Sequence, residues 1–126
     1  MNLVVDTSVL IDHLRRDARA AEVLKHAVAN GHTLWSIAPV RTEVLLGLRP
    51  GEEEATHRLL DQLEWLDVDV ALCDSAAELG RPYLRSHPGI DVVDFLLAAA
   101  VRALDGQLLT SNVRHFPMLA NLTPAY

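Results

Sequence analysis

The stretch that most constrains the fold of this chain is its first twelve residues, MNLVVDTSVLID. Two apolar runs, residues 3–5 and 9–11, flank a single acidic residue, Asp6. An ionised carboxylate is costly to bury unless its charge is compensated. Any fold of this chain must therefore give Asp6 either a compensating partner or an opening toward solvent.

Short apolar segments alternate with helical patterns along the chain. The sequence predicts strands at NLVVD, HTLWSIAP, DVDVAL and GQLLTSN, with ANLTPAY as a further edge strand. It predicts helices at SVLIDHLRRD (capped by Ser8), AAEVLKHAVANG, VRTEVLLGLRPG, EEEATHRLLDQLEWL, DSAAELGRPYLRSH and DVVDFLLAAAVRAL, and a turn or short helix at VRHFPML. Strands separated by helices indicate a parallel sheet with helices on both faces. The 126 residues suffice for one such domain.

In parallel sheets of this kind, ligands bind outside the carboxyl ends of the strands. Asp6 ends the first predicted strand, so its side chain is expected to face that crevice rather than the core. Two more acids are embedded in apolar segments beyond the strands: Glu43 in VRTEVLLG and Asp94 in GIDVVDFLLAAAV. Thr110 and Asn112 follow the last predicted strand and add oxygen-bearing side chains to the same edge.

Each acid has a structural explanation when it is taken alone. Asp6 and Asp91 are placed to cap helices, and Glu43 and Asp94 are each able to pair with an arginine. Taken together, carboxylates that converge without basic partners must share protons or bind a cation. Ligation by oxygen atoms alone, with water completing the shell, suits Mg²⁺ or Mn²⁺. A divalent metal is therefore the expected compensation for the charge of Asp6.

Composition excludes several classes of protein. A formal net charge of −6 argues against a protein that coats nucleic acid nonspecifically, although a bound cation reverses the local sign at a metal site. No apolar stretch approaches the roughly 20 residues that span a bilayer, and the N-terminal residues do not resemble a signal peptide. A single cysteine, Cys73, fits a reducing cytoplasm.

Four motifs, VVDTSVLID, RTEVLLG, GIDVVDFLLAAAV and LLTSNVRHFPML, together resemble the PIN-domain ribonucleases of the VapC toxin type. The resemblance runs from about residue 3 to residue 119. It implies a single PIN domain over residues 1–126, an α/β/α sandwich with a central, mainly parallel sheet of about four or five strands. It further implies an Mg²⁺- or Mn²⁺-dependent endoribonuclease that acts as the toxin of a VapBC toxin–antitoxin module. Its expected partners are RNA, a VapB-type antitoxin and a second copy in a homodimer.

The same resemblance assigns roles to the three embedded acids. Asp6, Glu43 and Asp94 match the catalytic acids of the family. Asp6 and Asp94 are expected to hold the metal directly, and Glu43 directly or through water. Asp91 either caps the helix that follows it or touches the metal.

Supporting roles fall to polar residues around these acids. Thr7 or Ser8 matches the hydroxyl that adjoins the first aspartate, and Thr110 and Asn112 are expected to hold the phosphate or the ligand waters. Asn112 departs from PIN proteins that carry a fourth acid at this position, and an amide oxygen lacks that negative charge. Arg114 and His115 have two interpretations: they contact RNA phosphate, or they tie the last loop to the body of the domain.

Two other functions remain open at this level. A metal-dependent phosphatase of the haloacid-dehalogenase type would need a second aspartate two residues after Asp6, where this chain has Ser8. A catalytically weak PIN-like binding module is disfavoured by the presence of all three acids, although Asn112 keeps it open.

Overall fold

The computed structural model describes all 126 residues, which form a four-stranded sheet flanked by six helices. The strands are β1 (Asn2–Val5), β2 (Thr33–Ile37), β3 (Glu64–Leu66) and β4 (Gln107–Leu109). The helices are α1 (Thr7–Leu14), α2 (Ala18–Ala29), α3 (Ala38–Leu46), α4 (Glu53–Leu60), α5 (Val70–Gly80) and α6 (Val92–Ala103). Two short 3-10 helices cover Arg81–Tyr83 and Val113–His115. The predicted α/β/α fold with a parallel sheet is confirmed.

The sheet has the order β3-β2-β1-β4, and every pair of neighbouring strands is parallel. In the central pairing, Val4 of β1 stands beside Trp35 of β2 on one side and Leu108 of β4 on the other. Because all strands run the same way, their carboxyl ends lie at a single edge of the sheet. The segments that follow the strands therefore begin at that same edge.

Helix α6 is the main apolar element of the core. Its eight consecutive residues from Asp94 to Val101 are all buried, and the helix packs against α5, β1 and β2. Three successive alanines, residues 98–100, remove side-chain bulk from this helix. The helix that the sequence predicts at DVVDFLLAAAVRAL is confirmed, and Asp94 lies in its first turn.

The third strand is not where the sequence predicts it. The alternating segment DVDVAL, residues 67–72, is not a strand, because Asp69 caps α5 by accepting a hydrogen bond from the backbone N–H of Leu72 at 2.8 Å. A cap of this kind favours the helix over an extended chain. The strand β3 is formed instead by residues 64–66, which were predicted as the end of a helix that stops at Leu60.

Three smaller expectations are also wrong. ANLTPAY forms no strand, although the backbone N–H of Ala125 donates to the carbonyl of Thr110 at 2.8 Å. Pro39 does not close β2 but lies in the first turn of α3, where its missing N–H costs no hydrogen bond. Ser8 does not cap α1, because the cap position is taken by Asp6.

None of the helices has both the length and the apolar character that a bilayer span requires.

Gly106, which precedes β4, provides a test of how closely this strand packs. A Cβ atom at Gly106 would lie 2.6 Å from the backbone oxygen of Asn2, and the backbone cannot move aside as a side chain can. We expect Gly106→Ala to lower the free energy of unfolding by about 1–3 kcal/mol, the usual cost of overpacking. Gly89→Ala is the matched control, because a Cβ atom there meets nothing within 4 Å. Equal urea midpoints for the two variants would contradict this packing.

Candidate functional site

Asp6 lies at the carboxyl edge of the sheet, directly after β1. Its backbone N–H donates to the carbonyl of Leu109 at 2.9 Å, which continues the pairing of β1 with β4. Asp6 as a whole residue is 6% exposed, and although it occupies the cap position of α1, its carboxylate makes no capping hydrogen bond. Helix capping therefore does not explain this buried acid.

Two hydroxyl groups hold the Asp6 carboxylate. Its Oδ2 accepts hydrogen bonds from Ser8 Oγ at 2.9 Å and from the buried Thr110 Oγ1 at 2.7 Å. Each hydroxyl oxygen in turn accepts from a backbone N–H of the last loop: Ser111 to Ser8 at 3.2 Å, and Asn112 to Thr110 at 2.9 Å. A hydroxyl that accepts from an N–H keeps its own proton for another acceptor. The loop of residues 110–112 thus directs both protons toward Asp6.

Glu43 reaches the same edge from α3. Its Oε1 accepts a hydrogen bond from Thr7 Oγ1 at 2.9 Å, and it forms no ion pair with an arginine. Burial raises the pKa of Glu43, and the charges of Asp91 and Asp6 raise it further against the lowering effect of Thr7. The hydrogen bond from Thr7 places Glu43 beside the residue that directly follows Asp6.

Asp94 stands in the first turn of α6, where it is 8% exposed. Its backbone N–H donates to Asp91 Oδ1 at 3.1 Å, and its own Oδ2 accepts from the backbone N–H of Asp91 at 3.3 Å. This reciprocal pair is a capping box, so Asp91 serves as the helix cap. Asp94 has no arginine partner, but His115 Nδ1 lies 3.1 Å from its Oδ2.

The pKa of Asp94 is raised to about 6, with burial as the largest cause. The backbone hydrogen bond from Asp91 and the charge of His115 lower it, whereas the charges of Asp91 and Asp6 raise it. Burial and like charges therefore oppose ionisation at Asp94 as they do at Glu43. These carboxylates carry more negative charge than their surroundings compensate.

Each of the three acids has one oxygen that the protein holds and one that accepts no hydrogen bond from it. The held atoms are Asp6 Oδ2, Glu43 Oε1 and Asp94 Oδ2. No group of three or more His, Cys, Asp or Glu side chains is close enough to ligate one ion directly. The donor set fits Mg²⁺ or Mn²⁺, because small hard cations are commonly bound by one or two carboxylates and several waters.

The remaining predicted residues surround this centre. The side chain of Asn112 is half-buried and makes no hydrogen bond, and Arg114 is exposed without an ion pair. His115 contacts Asp94 and so links the last loop to α6. Both hydroxyls that follow Asp6 in the sequence bind an acid of the site: Thr7 donates a hydrogen bond to Glu43, and Ser8 donates one to Asp6.

The pairing of His115 with Asp94 is a contact that sequence reasoning did not identify. A signal for it exists in the topology. Helix α6 leads directly into β4, so the two run in opposite directions, and the start of α6 lies at the edge where β4 ends. This topology predicts that the loop after β4 lies near Asp94.

Comparison with known proteins gives a consistent result. The sequence profile of the PIN domain matches residues 3–121. The chain is 39% identical over 123 residues to Ribonuclease VapC19 from Mycobacterium tuberculosis, with 98% of both chains covered. It is 35% identical over 124 residues to Ribonuclease VapC10 from the same organism, with 98% of this chain and 92% of that one covered.

Among solved structures, a chain in a toxin-antitoxin complex from Klebsiella pneumoniae superposes with a TM-score of 0.76, with 98% of each chain covered. The sequence identity is 18%, and at that level the superposition speaks for the fold alone.

The raised pKa of Asp94 predicts how stability depends on pH when no metal is bound. The folded state holds this proton more tightly than the unfolded state, whose pKa is near 3.8. The contribution of Asp94 is therefore fully present below that value, is lost as the pH rises toward about 6, and stays lost above it. We expect Asp94→Asn to remove this loss. In EDTA at pH 7, the free energy of unfolding of the variant should exceed that of the wild type by about 1–3 kcal/mol.

Urea unfolding at a series of pH values checks this expectation. Asp74→Asn, at an exposed position on α5, is the matched control and should follow the wild type at every pH. Parallel curves for wild type and Asp94→Asn between pH 4 and pH 7 would show that Asp94 ionises freely in the folded state.

Proposed function

The chain belongs to the PIN domain family, and from that premise we propose that it is a metal-dependent endoribonuclease, the toxin of a VapBC toxin–antitoxin module. The observation that carries the proposal is the set of three acids at the carboxyl edge of the sheet, each with one oxygen held by the protein and one left free. Two relatives named as ribonucleases, at 39% and 35% identity over nearly the whole chain, support the activity.

We assign the metal to Asp6 and Asp94 as direct ligands, with Glu43 acting through water, because no three of these side chains lie close enough to ligate one ion. When bound, Mg²⁺ or Mn²⁺ supplies stabilisation of the charge that develops on the phosphate and lowers the pKa of a water molecule. Ser8 and Thr110 keep the Asp6 carboxylate in one orientation. Asp91 is primarily the cap of α6, and its negative charge adds to the attraction of the site for a cation.

Glu43 is the group best suited to take a proton from the attacking water. Burial and the neighbouring acids raise its pKa, and a base is most effective when its pKa approaches the working pH. Attack by water would leave a 5′-phosphate and a 3′-hydroxyl. We assign contact with the phosphate of the RNA backbone to Asn112 and to Arg114, which is exposed in the short 3-10 helix of residues 113–115.

The rival functions are less consistent with this site. In place of the second aspartate of a haloacid-dehalogenase-type phosphatase, Ser8 donates a hydrogen bond to Asp6. A binding module without catalysis would have no reason to keep buried acids unpaired with arginine, since each costs free energy of folding.

The proposed partners are RNA, a VapB-type antitoxin and a second copy of the chain. A homodimer would cover apolar side chains at the end of α3, where Leu46 is 82% exposed. The proposed location is the cytoplasm, in which the exposed thiol of Cys73 stays reduced.

Replacing one metal ligand tests the proposal most directly. We expect Asp6→Asn and Asp94→Asn each to reduce cleavage of total RNA in Mn²⁺ by roughly 100-fold or more, since even partners of metal ligands cost 10–100-fold. Mn²⁺ should raise the Tm of the wild type by binding only its folded state, and both variants should lose this rise. Asp74→Asn should retain both properties. A folded Asp94→Asn protein with normal activity would refute the assignment.

Inhibition by the antitoxin provides a second test. The pocket of Asp6, Glu43 and Asp94 is negative, and an arginine of the partner can pair with two carboxylates at once through its planar guanidinium. We expect substitution of that arginine by alanine to restore cleavage in the complex before binding is lost. High Mg²⁺ should likewise weaken inhibition by competing for the same oxygens. Inhibition that resists both changes would mean that the antitoxin blocks RNA from elsewhere.

A further inference from the structure

The last two residues of the chain pack across the loop that holds Asp6. The backbone N–H of Ala125 donates to the carbonyl of Thr110 at 2.8 Å. The hydroxyl of Tyr126 donates to Asp12 Oδ2 on α1, and the guanidinium of Arg19 on α2 lies 5.1 Å from the centre of the Tyr126 ring. We call Ala125 and Tyr126, with these contacts, the tail latch.

One partner of Tyr126, the side chain of Arg19, is itself paired with an acid. Arg19 forms a bidentate ion pair with Asp17, in which Nε lies 3.1 Å from Oδ1 and Nη2 lies 2.8 Å from Oδ2. This pair holds the guanidinium against the ring of Tyr126. Burial raises the pKa of Tyr126, and the hydrogen bond to Asp12 raises it further. The hydroxyl therefore remains a proton donor at neutral pH. Tyr126 is thus anchored to both α1 and α2.

The tail latch connects to the site through Thr110. The carbonyl of Thr110 accepts from Ala125, and its side chain donates to Asp6 Oδ2 at 2.7 Å. A shift of the Thr110 backbone would therefore move the hydroxyl that orients Asp6. The other end of the latch is bound to Asp12, on the helix that Asp6 begins. The loop of residues 110–112 is thereby held against α1 from two sides, by Ser8 and by the tail.

We propose that Tyr126 is a positioning residue, which by binding Asp12 fixes the loop of residues 110–112 and so sets the direction in which Asp6 presents its free oxygen. The inference rests on the proposed function, because the free oxygen matters only if Asp6 binds a metal. Tyr126 acts through Ala125, Thr110 and Asp6 and does not touch the metal or the RNA. Its effect is therefore expected on metal affinity and turnover rather than on RNA binding.

Tyr126→Phe tests the proposal, because it keeps the ring beside Arg19 and removes only the hydroxyl. We expect the amide hydrogens of Ser111 and Ala125 to exchange with solvent about tenfold faster as the loop loosens. The Mn²⁺ concentration that gives half of the full Tm rise should increase about three- to tenfold, below the upper range for direct partners of metal ligands. The kcat for RNA cleavage should fall while KM for RNA stays unchanged.

Two control variants and two variants that break the same hydrogen bond complete the test. Tyr83→Phe makes the same chemical change at the other tyrosine of the chain, outside the latch, and should behave as the wild type. Asp12→Asn keeps an acceptor for the Tyr126 hydroxyl and should preserve the Mn²⁺ response. Asp12→Ala should reproduce Tyr126→Phe, and the double variant should be no worse than either single one, because both break one hydrogen bond.

The possible results distinguish failure of the positioning role of Tyr126 from failure of the proposed function. Unchanged exchange at Ser111 and Ala125 overturns the proposal, and so does faster exchange with an unchanged Mn²⁺ requirement, which would make the contact purely structural. Failure of the wild type both to cleave RNA and to respond to Mn²⁺ would refute the proposed function and, with it, the positioning role. A responsive wild type and an equally responsive Tyr126→Phe variant would refute the positioning role alone.

Discussion

The buried carboxylate of Asp6 is the constraint on which the rest of the site depends. Neutral hydroxyls hold it, where an arginine or lysine would have neutralised it, and so its negative charge remains available. The Thr110 hydroxyl reaches it only because β4 pairs in parallel with β1 and brings Thr110 to the end of the first strand. The order of the strands therefore helps to determine how the Asp6 carboxylate is oriented.

Asp94 and Glu43 are likewise held by hydrogen bonds and have no arginine or lysine partner. Asp94 sits in the first turn of α6, where the partial positive charge of the helix end favours a carboxylate, and the capping box fixes its orientation. Burial nevertheless raises the pKa of Asp94 to about 6, so the helix end offsets the cost of desolvation only in part. Glu43 shows the same imbalance on α3. A cluster of this kind is stabilised more by a bound cation than by contacts among its own residues, which is typical of functional sites.

The geometry also explains why the acids do not form a compact cage for a metal. Each is supported by a different element: Asp6 by β1, Glu43 by α3 and Asp94 by α6. Two hydrogen-bonding partners hold one oxygen of Asp6 and two hold one oxygen of Asp94, whereas Glu43 is held by one hydroxyl. An ion that keeps several waters tolerates this spacing, and those waters leave room for a phosphate and for the attacking nucleophile.

Elements with strong local patterns were predictable from the sequence: β1, the buried helix α6 and the parallel order that brings Asp6, Glu43 and Asp94 to one edge. It placed the third strand wrongly, because DVDV alternates like a strand while the Asp69 cap, a specific hydrogen bond, draws that segment into α5. The pairings of Asp6 with Thr110, of Asp94 with His115 and of Asp12 with Tyr126 were not predictable from the sequence, because each joins segments that only the fold brings together. Periodicity reports which face of an element is buried, but it carries no information on which distant side chain meets that face. Contacts between residues as far apart as 6 and 110 exist only once the sheet has placed both backbones.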